Sequence, residues 1–88
     1  MTMKLKSGLV LRQVAGENVV LSVGGEVELK GMITLNETAC VLWKCLEQGA
    51  ELSDLTAALL AEYDVDEQTA SAHAAAFVEK MKELEILA

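Results

Sequence analysis

The spacing of apolar residues divides the chain into two parts. In the first third, Leu9 and Leu11, then Val19, Leu21 and Val23, recur with period two, the repeat of a strand with one covered face. Ala15-Gly16-Glu17-Asn18 separates the runs at hairpin-turn length, which predicts strands over residues 9–14 and 18–23. Gly24-Gly25 ends the second run and Val27-Glu28-Leu29 alternates weakly. Gly31 then precedes Met32-Ile33-Thr34-Leu35, a β-prone stretch that predicts a third strand. Three short strands are marginal by themselves, so their apolar face requires a helical cover.

From Asn36 onward the apolar spacing becomes helical. Asn36 is the expected N-cap of a first helix with the stripe Ala39, Leu42, Trp43 and Leu46, and Gly49 stops it as a left-handed cap. Ser53 is the expected cap of a second helix running to Tyr63, with Leu52, Leu55, Leu59 and Tyr63 facing inward. Asp66 caps the third, Glu67 lies favourably in its first turn, and its stripe is Ala70, Ala74, Phe77, Met81 and Leu84. Ile86 and Leu87 close the end, and the run around Ala72 to Ala76 offers small side chains against which another backbone can pack closely. Short connections force the helices to turn sharply on one another. The expectation is an α+β fold, a three-stranded antiparallel sheet followed by three helices, as a single domain over residues 1–88.

Composition agrees with one folded unit. A chain of 88 residues has material for one core only, and with 52% hydrophobic residues and a mean hydropathy of +0.32 it is too apolar to be a disordered tail. The longest apolar runs, Ala39 to Trp43, Ala57 to Ala61 and Ala74 to Val78, fall far short of the ~20 residues that cross a bilayer. Near the start, Leu9-Val10-Leu11 is broken by Arg12 and is too short for a secretory signal, so a cytoplasmic protein without a membrane partner is expected. Charge is placed unevenly. Residues 1–44 carry a net +1 and residues 45–88 a net −8, the latter with only Lys80 and Lys82 as cations. Phosphate backbones are met by clustered Lys and Arg, so a nucleic-acid partner is not expected.

Little in the chain supports chemistry. Cys40 and Cys45 lie five apart on one helix, roughly 140° around it, so they diverge and neither bridge nor share a metal; reduced thiols are expected. His73, the only histidine, has no ligand set at metal-binding spacing and supports no nucleophilic arrangement. Asp64/Asp66 and Glu83/Glu85 look like solvated helix ends and faces. Gly24-Gly25 lacks the Lys-Ser/Thr of a phosphate loop, and Leu52-Ser53-Asp54-Leu55 is not the Asp-Ser-Leu attachment motif of an acyl carrier. A binding module is left, without catalytic residue, metal or cofactor.

The run Ile33-Thr34-Leu35-Asn36-Glu37-Thr38-Ala39, followed by Leu42-Trp43, Gly49, Leu55, Leu60-Ala61-Glu62-Tyr63-Asp64-Val65-Asp66 and a long helix with Phe77 and Leu84, resembles the PqqD-like family. Its namesake is the peptide chaperone of pyrroloquinoline quinone biosynthesis, and its domain is called the RiPP recognition element. The resemblance covers residues 9–87. Glu85 departs from it, because such sequences commonly carry Gly there. The resemblance implies a winged helix-turn-helix-like fold that binds the leader of a ribosomally synthesised precursor peptide and presents it to a modifying enzyme, often a radical S-adenosylmethionine enzyme. It implies that the leader adds as a strand beside the third strand, in the groove against the third helix. Projected onto this chain, Met32, Ile33 and Thr34 supply the edge, and His73, Ala76, Phe77 and Lys80 line one flank of the helix. Ser71, Val78 and Lys82 form an alternative flank. The rivals are a winged-helix transcription factor, which lacks a basic recognition helix here, and another protein-interaction module without enzymatic activity. Homodimerisation by pairing of the open edge stays open.

Overall fold

The computed structural model describes residues 2–24 and 32–88. Three strands, β1 (Leu9–Val14), β2 (Glu17–Ser22) and β3 (Ile33–Leu35), precede three helices, α1 (Glu37–Gln48), α2 (Leu52–Glu62) and α3 (Glu67–Glu83). The sheet is antiparallel, in the order β1-β2-β3. The weakly alternating Val27-Glu28-Leu29, Gly25 and Gly31 lie outside the described residues.

The hairpin turn is tighter than its sequence suggests. Ala15 and Gly16 alone form it, with φ of +52° and +81°, and β2 begins already at Glu17. Positive φ at both central residues matches the right-handed twist of the flanking strands. It also sets the register, which pairs Leu11 with Val20 and Leu9 with Ser22. Val20 therefore shares a face with Leu9 and Leu11 and joins the core under the helices, while Val19, Leu21 and Val23 point to the opposite face.

Two of the three helix starts follow the expected chemistry. Asn36 Oδ1 accepts the Ala39 N–H at 2.8 Å and Asp66 Oδ1 accepts the Thr69 N–H at 2.7 Å. The second start is different: Glu51, not Ser53, is the N-cap, and its own N–H donates to Asp54 Oδ2 at 2.9 Å. Leu52 and Ser53 are already helical, so an acid in the first turn reaches back to the cap amide. This start leaves Leu52 exposed, while Leu55 and Leu59 are buried and Tyr63 is half-buried.

Around Trp43, which is fully buried, the core gathers Val20 and Leu35 from the sheet, Leu42 and Leu46 from α1, Leu55 and Leu59 from α2, and Ala70, Ala74, Phe77, Val78 and Met81 from α3. Val78, a member of the alternative flank, is thus core. At the end of α3, Glu85 N–H donates to the Lys82 carbonyl and Ile86 N–H to the Met81 carbonyl, with Glu85 at φ +57°. That is a Schellman closure whose left-handed position usually takes glycine, which explains why Gly is common there in similar sequences.

A strap that the apolar pattern did not reveal completes the fold. Met3 and Ala50 exchange two backbone hydrogen bonds, Lys6 N–H donates to the Ile86 carbonyl, and Ala88 N–H donates to the Lys4 carbonyl. The N-terminal segment is thereby tied to the end of α1 and to the C-terminus. Gly49 ends α1 at φ +89° with ψ 126°, outside the left-handed helical well, and a Cβ there would lie 3.0 Å from Lys4 Cε. The helix stop therefore needs glycine for its backbone conformation, and any larger residue would also have to displace the Lys4 side chain.

Candidate functional site

Among the described residues β3 is a sheet edge, and the parity of the ladder tells which of its backbone groups point away from β2. In an antiparallel pair, residues that exchange hydrogen bonds alternate with residues that do not, and the pair closing a two-residue turn is a bonded one. Val14 and Glu17 close the turn, and the Val23 N–H donating to the Gly8 carbonyl at 2.8 Å continues the same parity to the far end. Odd-numbered residues of β2 thus point their backbone at β1, and Asn18 and Val20 point at β3. Their partners are Leu35 and Ile33. Thr34, opposite Val19, therefore directs its N–H and C=O away from the sheet, and its side chain is exposed. Met32 lies one residue ahead of the strand and is 64% exposed.

Beside this edge the chain reverses through the Asn36 cap, which brings the first turn of α1 in front of α3. Between them lies a cavity of about 300 Å³ lined by Asn36, Thr38, Ala39, Leu42, His73, Ala76, Phe77 and Lys80. All four helix residues projected from the sequence meet here. Leu42 and Phe77 are buried and form an apolar floor, while His73, Ala76 and Lys80 are exposed at the wall. Asn36, Thr38, Ala39 and Leu42 are the members that the sequence reading missed; the signal for them was the cap itself, because a helix that starts right after an edge strand must present its first turn beside that edge. Ile33 and Thr34 belong to β3 and Met32 immediately precedes it; none of the three lines the cavity.

At Thr38 and His73 the cavity adjoins a smaller one of about 110 Å³, walled also by Leu59, Tyr63, Val65, Thr69 and Ala70. The pair forms a surface that runs from β3 past the N-terminal half of α3, with Lys80 at one end. The alternative flank is not brought to this edge. Ser71 lines a separate groove with α2, Val78 is buried, and Lys82 Nζ lies 3.7 Å from Glu79 Oε1 in an exposed ion pair.

The arrangement can bind an extended chain by its backbone and take its side chains into apolar hollows. Outside the cavity linings, the Thr69 hydrogen bonds hold the Asp66 carboxyl below its ordinary pKa, and burial, with the Asp54 carboxylate nearby, pushes the Cys45 thiol up. Both cysteines are unbridged, and no group of three His, Cys, Asp or Glu side chains that could hold a metal occurs among the described residues. No helix among these residues is long and apolar enough to cross a membrane.

Residues 17–87 match the family described as "Coenzyme PQQ synthesis protein D (PqqD)". The chain belongs to the PqqD family. No curated protein matches it. Two solved structures share the PqqD-family fold. One, described as TbiB1 in complex with the TbiA(beta) leader peptide, is 25% identical with a TM-score of 0.75, over 96% of this chain and 93% of the other. The second, a lasso peptide synthetase B1 complexed with the leader peptide, is 26% identical with a TM-score of 0.74, over 98% and 96% of the two chains. Three antiparallel strands followed by three helices are thus a shared PqqD-family architecture, as the sequence led us to expect.

Proposed function

We propose that this PqqD-family protein is a cytoplasmic peptide chaperone that holds the leader segment of a ribosomally synthesised precursor peptide and presents it to a modifying enzyme, a radical S-adenosylmethionine enzyme in the first instance. It acts as a single domain and carries out no chemistry itself. The leader adds as a fourth strand along Met32, Ile33 and Thr34, and its side chains meet His73, Ala76, Phe77 and Lys80. The observation that carries this reading is the outward-directed backbone of Thr34 beside a cavity floored by Leu42 and Phe77. Strand addition draws affinity from free backbone groups on an edge, and pockets for alternate side chains set its register. A leucine-sized leader side chain buried in the cavity would contribute ~1.5–3 kcal/mol. Two leader-bound relatives at 25% and 26% identity, each covering nearly the whole chain, support the same ligand class.

Calorimetry against the leader encoded near this protein's gene, followed by amide exchange, tests the reading. Saturable binding with protection at residues 32–35 and along residues 73–80 is expected. A leader that binds with protection confined to other segments would refute strand addition here. The nucleic-acid rival requires clustered cations on α2 or α3, yet α2 has no Lys or Arg and α3 has only Lys80 and Lys82 in its last turn, beside Glu79 and Glu83. No shift of duplex DNA in a gel is expected.

A further inference from the structure

On the other side of α3, away from the leader groove, the molecule carries a second concave surface that the proposed function leaves unused. Leu52, Ser53, Thr56, Ala57 and Leu60 of α2 face Glu67 and Ser71 of α3 across a groove of about 510 Å³. Leu52 and Leu60 are 42% and 40% exposed, eight residues apart on one stripe of α2 and so ~12 Å apart along its axis. Beyond Ser71 the α3 wall continues into a shallow hollow with Ala72 and Ala75, side chains small enough for another backbone to approach.

We propose that this groove docks a basic amphipathic helix of a partner protein. Three features select that occupant. The groove lies between two helices, whose backbone groups are bonded internally, so strand addition has no purchase and side-chain packing is the mode left. Two ridge leucines across small residues fit an apolar helix face about two turns long. The charge is one-sided: Glu67 is the only charged residue lining the groove, Glu51 and Asp54 flank it on the first turn of α2, and the cation further along the same side of α3, Lys82, is paired with Glu79. A second copy of this chain would oppose like charge with like, and an anionic membrane would be repelled, whereas Lys or Arg flanking an aliphatic stripe is complementary. This surface shares no lining residue with the two cavities near β3, so leader and partner can be held at once. The assignment does not rest on the leader reading.

The test uses the full chain, isotope-labelled, titrated by NMR with the amphipathic peptide LKKLLKLLKKLLKL and with its glutamate counterpart LEELLELLEELLEL. The lysine peptide should shift the amides of Leu52, Thr56, Leu60, Ser71 and Ala75 and leave Thr34 and Ala76 unmoved, and the glutamate peptide should not bind. A Leu52→Gln/Leu60→Gln variant, whose substitutions are on the surface and whose melt should match the parent, should bind about tenfold more weakly, since it loses apolar contact at both ends of the groove. Glu67→Gln should reduce the salt dependence of binding. Shifts centred on β3 and residues 73–80, equal binding of both peptides, an unchanged affinity of the double variant, or dimerisation of the free protein through these leucines would overturn the proposal. Absence of leader binding alongside the expected lysine-peptide result would refute the leader reading alone.

Discussion

Proline placed at Ile33 or at Thr34 should have opposite consequences, because neighbouring residues on an edge strand point their N–H groups in opposite directions. Ile33 is bonded to Val20, and its half-buried side chain packs on the core. Ile33→Pro removes a ladder donor, leaves the Val20 carbonyl without its partner and trims an apolar side chain. An unpaired inward-facing acceptor costs ~1–3 kcal/mol and the lost packing of order 1 kcal/mol more, so ~2–4 kcal/mol is expected against a total of ~5–15 for a small domain. Thr34→Pro removes only an N–H that faces away from β2, and proline is tolerated on an edge with its nitrogen outward. Its stability cost should stay below ~1 kcal/mol, mostly from the fixed φ. In strand addition, however, that N–H is one of very few donors on a three-residue edge. Its loss should weaken leader binding by ~1–2 kcal/mol, about 5- to 30-fold. Thermal melts read the first effect, calorimetry the second, and Thr34 amide exchange in the parent reports the contact directly. A folded Thr34→Pro protein with parental affinity would refute strand addition; an unfolded Thr34→Pro protein beside an intact Ile33→Pro one would show the ladder parity to be reversed.

Three further outcomes are expected. Trp43→Ala empties the centre of the core and should cost ~3–5 kcal/mol, leaving the protein largely unfolded or aggregated; a cooperative melt within a few degrees of the parent would contradict the packing described. Glu85→Gly relieves a left-handed residue in the Schellman closure and removes an anion from a helix C-terminus, so it should raise stability by ~0.5–1 kcal/mol in denaturant titrations, and no gain would place the strain elsewhere. Because Asp66 has its pKa lowered by the Thr69 hydrogen bonds, its contribution is fully present above the unfolded-state value near 3.9 and is lost as pH falls through the lower folded value. Asp66→Asn keeps a cap but not the charge, so its melting temperature should fall less than the parent's between pH 5 and pH 2; parallel curves would count against this.

Local chemistry alone determined most of the architecture. Asn36, Asp66 and Gly49 act within a few residues of themselves, so the starts of α1 and α3 and the end of α1 were legible, and alternation with a turn signal was enough for a hairpin. The family pattern carried the rest of the fold and pointed to His73, Ala76, Phe77 and Lys80, which do share a cavity. Tertiary structure decided whatever depends on phase. A hairpin turn one residue longer or shorter exchanges the two faces of a strand, and the two-residue turn at Ala15-Gly16 put Val20 under the helices with Leu9 and Leu11 and turned Val19, Leu21 and Val23 to the other face, where Val19 is buried as well. The cap of α2 at Glu51 rather than Ser53, which leaves Leu52 exposed, and the burial of Val78 in the core, which sets it apart from the exposed Ser71 and Lys82 of the alternative flank, appear only once the helices have packed. The strap of residues 3–6 alternates, Met3 and Leu5 against Lys4 and Lys6, but its place in the fold was not legible, because its bonds run from backbone to segments far along the chain at Ala50 and residues 86–88. The direction of the Thr34 N–H follows from counting hydrogen bonds across two strand pairs, and a ladder exists only once the strands have met.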